Sequence, residues 1–381
     1  MLTISQLLIE CGASVHVRGN TGLTPLHFAS YSGYLDIIRL LLEHGADIQA
    51  TNEQHNTPLH QAADKGKLAA AELLIERGAI VYARGNIGRT PLHFASCSGF
   101  PDIIRLLLEH DADIQAMDDR HNTPLHLAAD LGMLAAAQLL VERGAIVHGR
   151  GNTGLTPLHF ASRSGFPDIV RLLLEHGADI QAMDDRHNTP LHSAAGLGML
   201  AATKLLVEHG AIVHVQGNTG RTPLHFASCS GYLDIIRLLL EHGADIQATD
   251  EQHNTPLHLA ADQGKFAAAQ LLVMSGAIVH ARSNLGCTPL HHASCGGSLD
   301  IIQLLLNHRA DPDAQGTNYS TPLHLAVVAE HLEAARLLLA HGANVLAQSK
   351  ARQTPLQVAL EKGNQEIVDL LSAYVRSGRR L

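Results

Sequence analysis

The chain has 381 residues, 46% of them apolar, with no Trp and aromatics at only 3%, which predicts a core of Leu, Ile, Val and Ala. The formal charge of −9 argues against nucleic acid as partner, because nucleic-acid binders carry a basic face. No apolar run approaches the roughly 20 residues of a membrane span, and Met1–Ala13 lacks the basic start and longer apolar stretch of a signal peptide, so membrane insertion and secretion are not expected.

Residues 1–23 come first and stand apart. Met1 to Cys11 predicts one helix leading into Gly12-Ala13, with no helix before it to cover its apolar face. This reads as the second half of a repeating unit, in a fragment, a truncated product or a chain whose upstream domain is missing. From Thr24 onward the triplet Thr-Pro-Leu recurs every 33 residues, eleven times in all, to Thr354. Ten copies continue into His, from His27 to His324, and the last into Gln357. A fixed period signals an array of stacked units and not a fold around one central core.

Within Thr24–Asn56, Thr24 suits a helix N-cap and Pro25 the first helical position. A short helix, Pro25 to Ser32, is predicted to stop at Gly33. A second helix spans about Leu35 to His44, with Asp36 favourable against the helix dipole. Pro101 and Pro167, at the equivalents of Leu35, mark the same start. Gly45 supplies a left-handed C-terminal residue. Residues Ala46 to Asn56 suit a loop or β-hairpin. Neither helix is long enough to be stable alone, so neighbouring units must bury each other's faces.

The Thr-Pro-Leu-His-x-Ala start, the 33-residue period and the Leu-Leu-Leu-Glu-His-Gly-Ala-Asp ending resemble ankyrin repeats over practically the whole chain. The resemblance implies an all-α solenoid of helix–turn–helix units with projecting β-hairpin fingers. It implies protein binding along the concave face made by fingers and first helices, and a role for the motif His in tying the helix start to backbone and neighbouring loop. The expected organisation is a partial unit over 1–23, ten full repeats over 24–353 and a more polar capping repeat with a basic tail over 354–381.

Two repeat types alternate. Type A begins at Thr24, Thr90, Thr156, Thr222 and Thr288, and carries Asp-Ile-Ile/Val or its close equivalent in the second helix. Type B begins at Thr57, Thr123, Thr189 and Thr255, and carries Ala-Ala in both helices. The repeating unit is therefore 66 residues. Ile37 and Ile38 of type A face the chain where type B has Ala70 and Ala71, so large and small layers should interdigitate. The finger tips alternate as well. Arg18, Arg84 and Arg150, with Asn20, Asn86 and Asn152, precede type A repeats, whereas Asn52-Glu53, Asp118-Asp119, Asp184-Asp185 and Asp250-Glu251 precede type B. Two readings stay open: a charge-striped binding face, or neighbouring charges that merely offset one another in water.

Little here suggests chemistry. The motif His residues lie one repeat apart, too far to share a metal ion at about 2 Å per ligand. His55, His121, His187 and His253 stand where type A has Gly, a place suited to positive φ, which His tolerates better than most residues. Each of these paired with the motif His five residues on, such as His55 with His60, makes a conceivable metal pair, without a Cys or third ligand to complete it. The five Cys form no Cys-x-x-Cys pair, which points to a reducing, intracellular compartment, cytoplasm or nucleus. No phosphate loop and no nucleophile in a unique setting occurs, so neither enzyme activity nor a cofactor is expected. Asp111 and Arg309 replace the glycine at the end of the second helix and are expected soft spots.

The function expected is non-catalytic binding of a partner protein of unspecified identity by a monomer, with association through the uncapped N-terminal end as an alternative state. The expected contacts are the tips Arg18, Asn20, Glu53, Arg84, Asn86, Asp118, Asp119, Arg120, Arg150, Asn152, Asp184, Asp185, Arg186, Asp250 and Glu251, and the first-helix positions Tyr31, Asp64, Cys97, Asp130 and Arg163. The alternative is a ligand-sensing or spacer array of a larger signalling protein whose effector domain lies upstream.

Overall fold

A computed structural model describes residues 2–377; Met1 and residues 378–381, which hold most of the expected basic tail, lie outside the described residues. The described chain is helical. First helices begin at each motif proline, as in Pro25–Ser32, Pro58–Asp64, Pro91–Ser98 and Pro124–Leu131, and second helices start three or four residues after they end, as in Leu35–Glu43, Leu68–Glu76, Pro101–Glu109 and Leu134–Glu142. The motif threonine is the N-cap throughout, with extended backbone (Thr24 φ −93°, ψ 166°). Gly33 ends the first helix in the left-handed region at φ 78°, its N–H donating to the Ala29 carbonyl. Asp111 and Arg309 occupy that region too, at φ 63° and 65°, and so do His55, His121, His187 and His253.

The connections between units are tight turns. Each finger is closed by one backbone bond, such as Asn52 N–H to Asn56 O at 3.1 Å or Gly85 N–H to Arg89 O at 2.8 Å. No β-strand forms among the described residues. The expected β-hairpin is thus reduced to a single closing pair, because most of the segment is spent in turns such as Asp47–Ala50.

The chain divides into two compact units, Met1–Asp185 and Arg186–Leu381. The division falls inside a finger of ordinary composition, so nothing in the sequence marks it. In each unit the first helices stack on one another and the second helices form a parallel layer. The leucines of the first ten motifs line the core, with Leu26, Leu59, Leu92, Leu125 and Leu158 fully buried, and Leu356 of the last motif is half-buried. The second-helix layer alternates as the 66-residue period predicts. Ile103 and Ile104 are buried between Ala70-Ala71 and Ala136-Ala137 in the first unit, and Ile235 and Ile236 between Ala202-Thr203 and Ala268-Ala269 in the second. The helix Leu2–Glu10 buries none of its residues.

Candidate protein-binding surface

The histidine of the motif joins one repeat to the next. Its Nδ1 accepts the N–H of the threonine three residues back, at 3.2 Å for Thr24 and His27, and the threonine hydroxyl lies 2.8 Å from the same atom. This is a capping box with His in place of the usual Glu or Gln. Since Nδ1 accepts, the ring proton sits on Nε2, which donates to a carbonyl 29 residues ahead: His27 to Asn56 at 2.9 Å, His60 to Arg89, His93 to Asn122 and His126 to Leu155 at up to 3.3 Å. The second unit repeats the bracket from His192, His225, His258, His291 and His324. Burial drives the pKa of His60, His93, His126, His258 and His291 from 6.5 down to about 4. These rings are neutral, with both nitrogens engaged, which leaves His60 no lone pair to offer a metal beside His55. Among the described residues no three His, Cys, Asp or Glu side chains are grouped to hold a metal ion.

The fingers are knit together at their tips. One backbone bond links each tip to the next: Glu53 N–H to Thr21 O, Asn86 N–H to Gln54 O, Asp119 N–H to Ile87 O, Asn152 N–H to Arg120 O and Asp185 N–H to Thr153 O. In the second unit Asn218 N–H reaches Arg186 O and Glu251 N–H reaches Thr219 O. The tip side chains add to this bracing. Arg18 and Arg150 donate to the carbonyls of Thr51 and Met183, 33 residues on, at 3.1 and 2.6 Å. Gln216 and Arg282 do the same from equivalent positions. Asn152 Nδ2 donates back to Asp119 O at 3.0 Å.

The alternating charges meet as ion pairs between neighbouring fingers. Arg84 lies 3.3 Å from Asp119 and Arg150 4.0 Å from Asp185, in positions more than half exposed, where such pairs contribute under about 1 kcal/mol. Asp118 and Asp250 differ from the rest, for both are buried. Each turns its Oδ1 onto two N–H groups of its own finger, Arg120 and Asn122 for Asp118, Gln252 and Asn254 for Asp250. Each also lies 3.5 Å from the guanidinium of Arg89 or Arg221. These two were expected at the surface; their short side chains shape the turn instead, and a partner does not meet them. Asn20, Glu53, Asn86, Asp119, Arg120, Asn152, Asp185, Arg186 and Glu251 are exposed, and Asp184 is half-buried.

On the first helices, the expected positions form a continuous row in the first unit. Lys65 Nζ sits 5.1 Å above the Tyr31 ring and 2.7 Å from Asp64. Ser98, next to Cys97, donates to Asp64 at 3.1 Å. Arg163 grips Asp130 at 2.9 and 3.2 Å and covers the Phe160 ring at 4.3 Å. Cys97 is half-buried, and desolvation raises its thiol pKa to about 11, which keeps it protonated and a poor nucleophile. On the first helices of this unit Phe28 is 58% exposed and Leu131 46%, and on a first helix of the second unit Leu197 is 52% exposed. Leu131 and Leu197 share the signal of Tyr31, variation at equivalent places, where Lys65 and Gln263 also stand; Phe28 recurs as Phe94, Phe160 and Phe226 and carries no such signal.

With this geometry in place, the comparisons agree with it. A family model for ankyrin repeats, built as three copies, matches residues 1–85, 51–118, 81–151, 116–184, 181–250, 247–316 and 308–378, nearly the whole chain. No curated protein matches the chain. No described helix is long and apolar enough to cross a membrane.

Proposed function

The chain belongs to the ankyrin repeat family, whose members are generally protein-interaction modules and typically non-catalytic, and on that premise we propose that it binds a partner protein along its first-helix face. The observation that carries this reading is the division of labour just described. Most tip charges are engaged in bracing one finger to the next, whereas first helices present Phe28, Tyr31 and Leu131 to solvent beside an Asp–Arg–Lys row in the first unit, and Leu197 in the second. Apolar anchors flanked by polar groups are the usual composition of an interface centre. Glu53, Asn86, Asp119 and Arg120 extend the surface toward the tips. A site-specific photo-crosslinker at Leu131 or Leu197 in living cells should yield covalent adducts with partner protein. The same reagent at Glu72 or Glu142, on the outer side of the second helices, should yield none. Adducts from the second helices alone would refute the assignment.

A further inference from the structure

One repeat breaks the surface pattern of its siblings. At the position following the motif His, type B repeats carry Gln61, Leu127, Ser193 and Leu259, and three residues later Asp64, Asp130, Gly196 and Asp262. Only the third loses both the bulk and the carboxylate. The result is a cavity of about 180 Å³ in the second unit, lined almost entirely by apolar surface from Asn188, His192, Ser193, Gly196, Leu197 and Phe226.

The siblings show what belongs in that space. Leu127 is 5% exposed and Leu259 6%, so a leucine side chain at this position is almost wholly buried by the walls that Ser193 leaves bare. The walls remain, because the Phe226 ring keeps its edge-on contact with His192 at 5.7 Å. A Cβ at Gly196 would meet that ring at 3.2 Å, so the missing side chain keeps the mouth open. The rim has also lost its charge. Ser98 and Ser164 donate to the carboxylates of Asp64 and Asp130, whereas Ser230 donates to the Gly196 carbonyl at 3.0 Å. His192 cannot serve as a polar contact, since its Nε2 donates to Arg221 O and its Nδ1 accepts from Thr189. An uncharged recess of this size with apolar walls suits an apolar guest, since a polar group entering it would lose water without gaining partners.

We propose that this cavity is the anchor pocket of the binding face and receives one leucine-sized aliphatic side chain from a partner polypeptide. The proposal rests on the first-helix face being the binding surface, and the test separates the two. Phage-displayed random peptides are selected on the full chain, and the best are synthesised. Affinity is measured for the wild type and for the Ser193→Leu/Gly196→Asp variant, which restores what the siblings carry and should melt at or above the wild-type temperature. Filling the pocket should weaken binding about 30-fold, equivalent to about 2 kcal/mol at 1.4 kcal/mol per tenfold, the burial of one aliphatic side chain. Replacing the peptide's leucine by alanine should cost about the same, and the two losses should not add. Peptides that photo-crosslink to Leu197 yet bind the filled variant equally well would overturn the pocket and leave the face intact. Peptides that never crosslink to the first helices would overturn both.

Discussion

Acidification should unfold this protein by a defined route, through the brackets that join its repeats. His60, His93 and His126 in the first unit and His258 and His291 in the second are fully buried, and each titrates near pH 4 in the folded chain against 6.5 when exposed. Between those values the unfolded chain binds a proton that the folded chain refuses, so stability is complete above pH 6.5 and falls as pH drops toward 4. At pH 5.5 each ring costs about 1.4 kcal/mol, one pH unit below its unfolded pKa. Three such rings remove about 4 kcal/mol from the first unit and two about 3 kcal/mol from the second, a large part of the 5–15 kcal/mol of an ordinary domain. Ordinary carboxylates titrate below about pH 4.5, so the window from 6.5 to 5 isolates the histidines. Urea unfolding followed by circular dichroism at half-unit steps of pH should show the midpoint falling steeply through that window. His126→Gln copies the arrangement at Gln357, whose Oε1 accepts the Thr354 N–H at 2.8 Å. It should lower stability at pH 8 and flatten the acid dependence by about one proton. A midpoint that stays level from pH 7 to 5.5, or a His126→Gln slope equal to wild type, would refute the reasoning.

Other outcomes follow from particular residues. Asp111→Gly should raise stability by about 1 kcal/mol by removing a left-handed non-glycine residue; an unchanged melting temperature would count against it. Arg89→Leu should cost about 1–2 kcal/mol by leaving the buried Asp118 carboxylate without its guanidinium. Adding Asp118→Asn, which reproduces the chain's own Leu23 and Asn52, should recover most of that loss in denaturant melts. Deleting units stepwise by 33 residues should give unequal stability increments that alternate with a 66-residue period, since isoleucine layers pack between alanine layers. Equal increments would mean that the single repeat is the cooperative unit.

The fold was legible because its determinants are local and recur: Thr-Pro starts a helix, Gly ends it, and Leu at a fixed offset must find a core. Even the unusual left-handed residues, Asp111, Arg309 and the four histidines before the motif, announced themselves by standing where siblings have glycine. The surface was harder to read. Variation between repeats suggests partner contact, yet at Arg18, Arg150, Asp118 and Asp250 the side chain serves the neighbouring finger or its own turn. A residue 33 positions away is a close neighbour in such an array, and no single-repeat reading reveals what it accepts or donates. The pocket at Ser193 and Gly196 escaped for the opposite reason: both residues are small and unremarkable, and only the absence of their siblings' side chains gives them meaning.

The histidine bracket also has a direction. Each ring donates toward the C-terminus and receives only from its own helix start, so the two sides of any cut between units are not equivalent. The N-terminal side is left with a polarised N–H aimed at a carbonyl that is gone. The C-terminal side loses only one donor to a carbonyl, which water readily replaces. Synthesis on the ribosome proceeds in the same sense, and each unit keeps one open donor until the next 29 residues arrive. A growing chain of this kind carries its unfinished bond at its leading edge, ready for the unit that comes next.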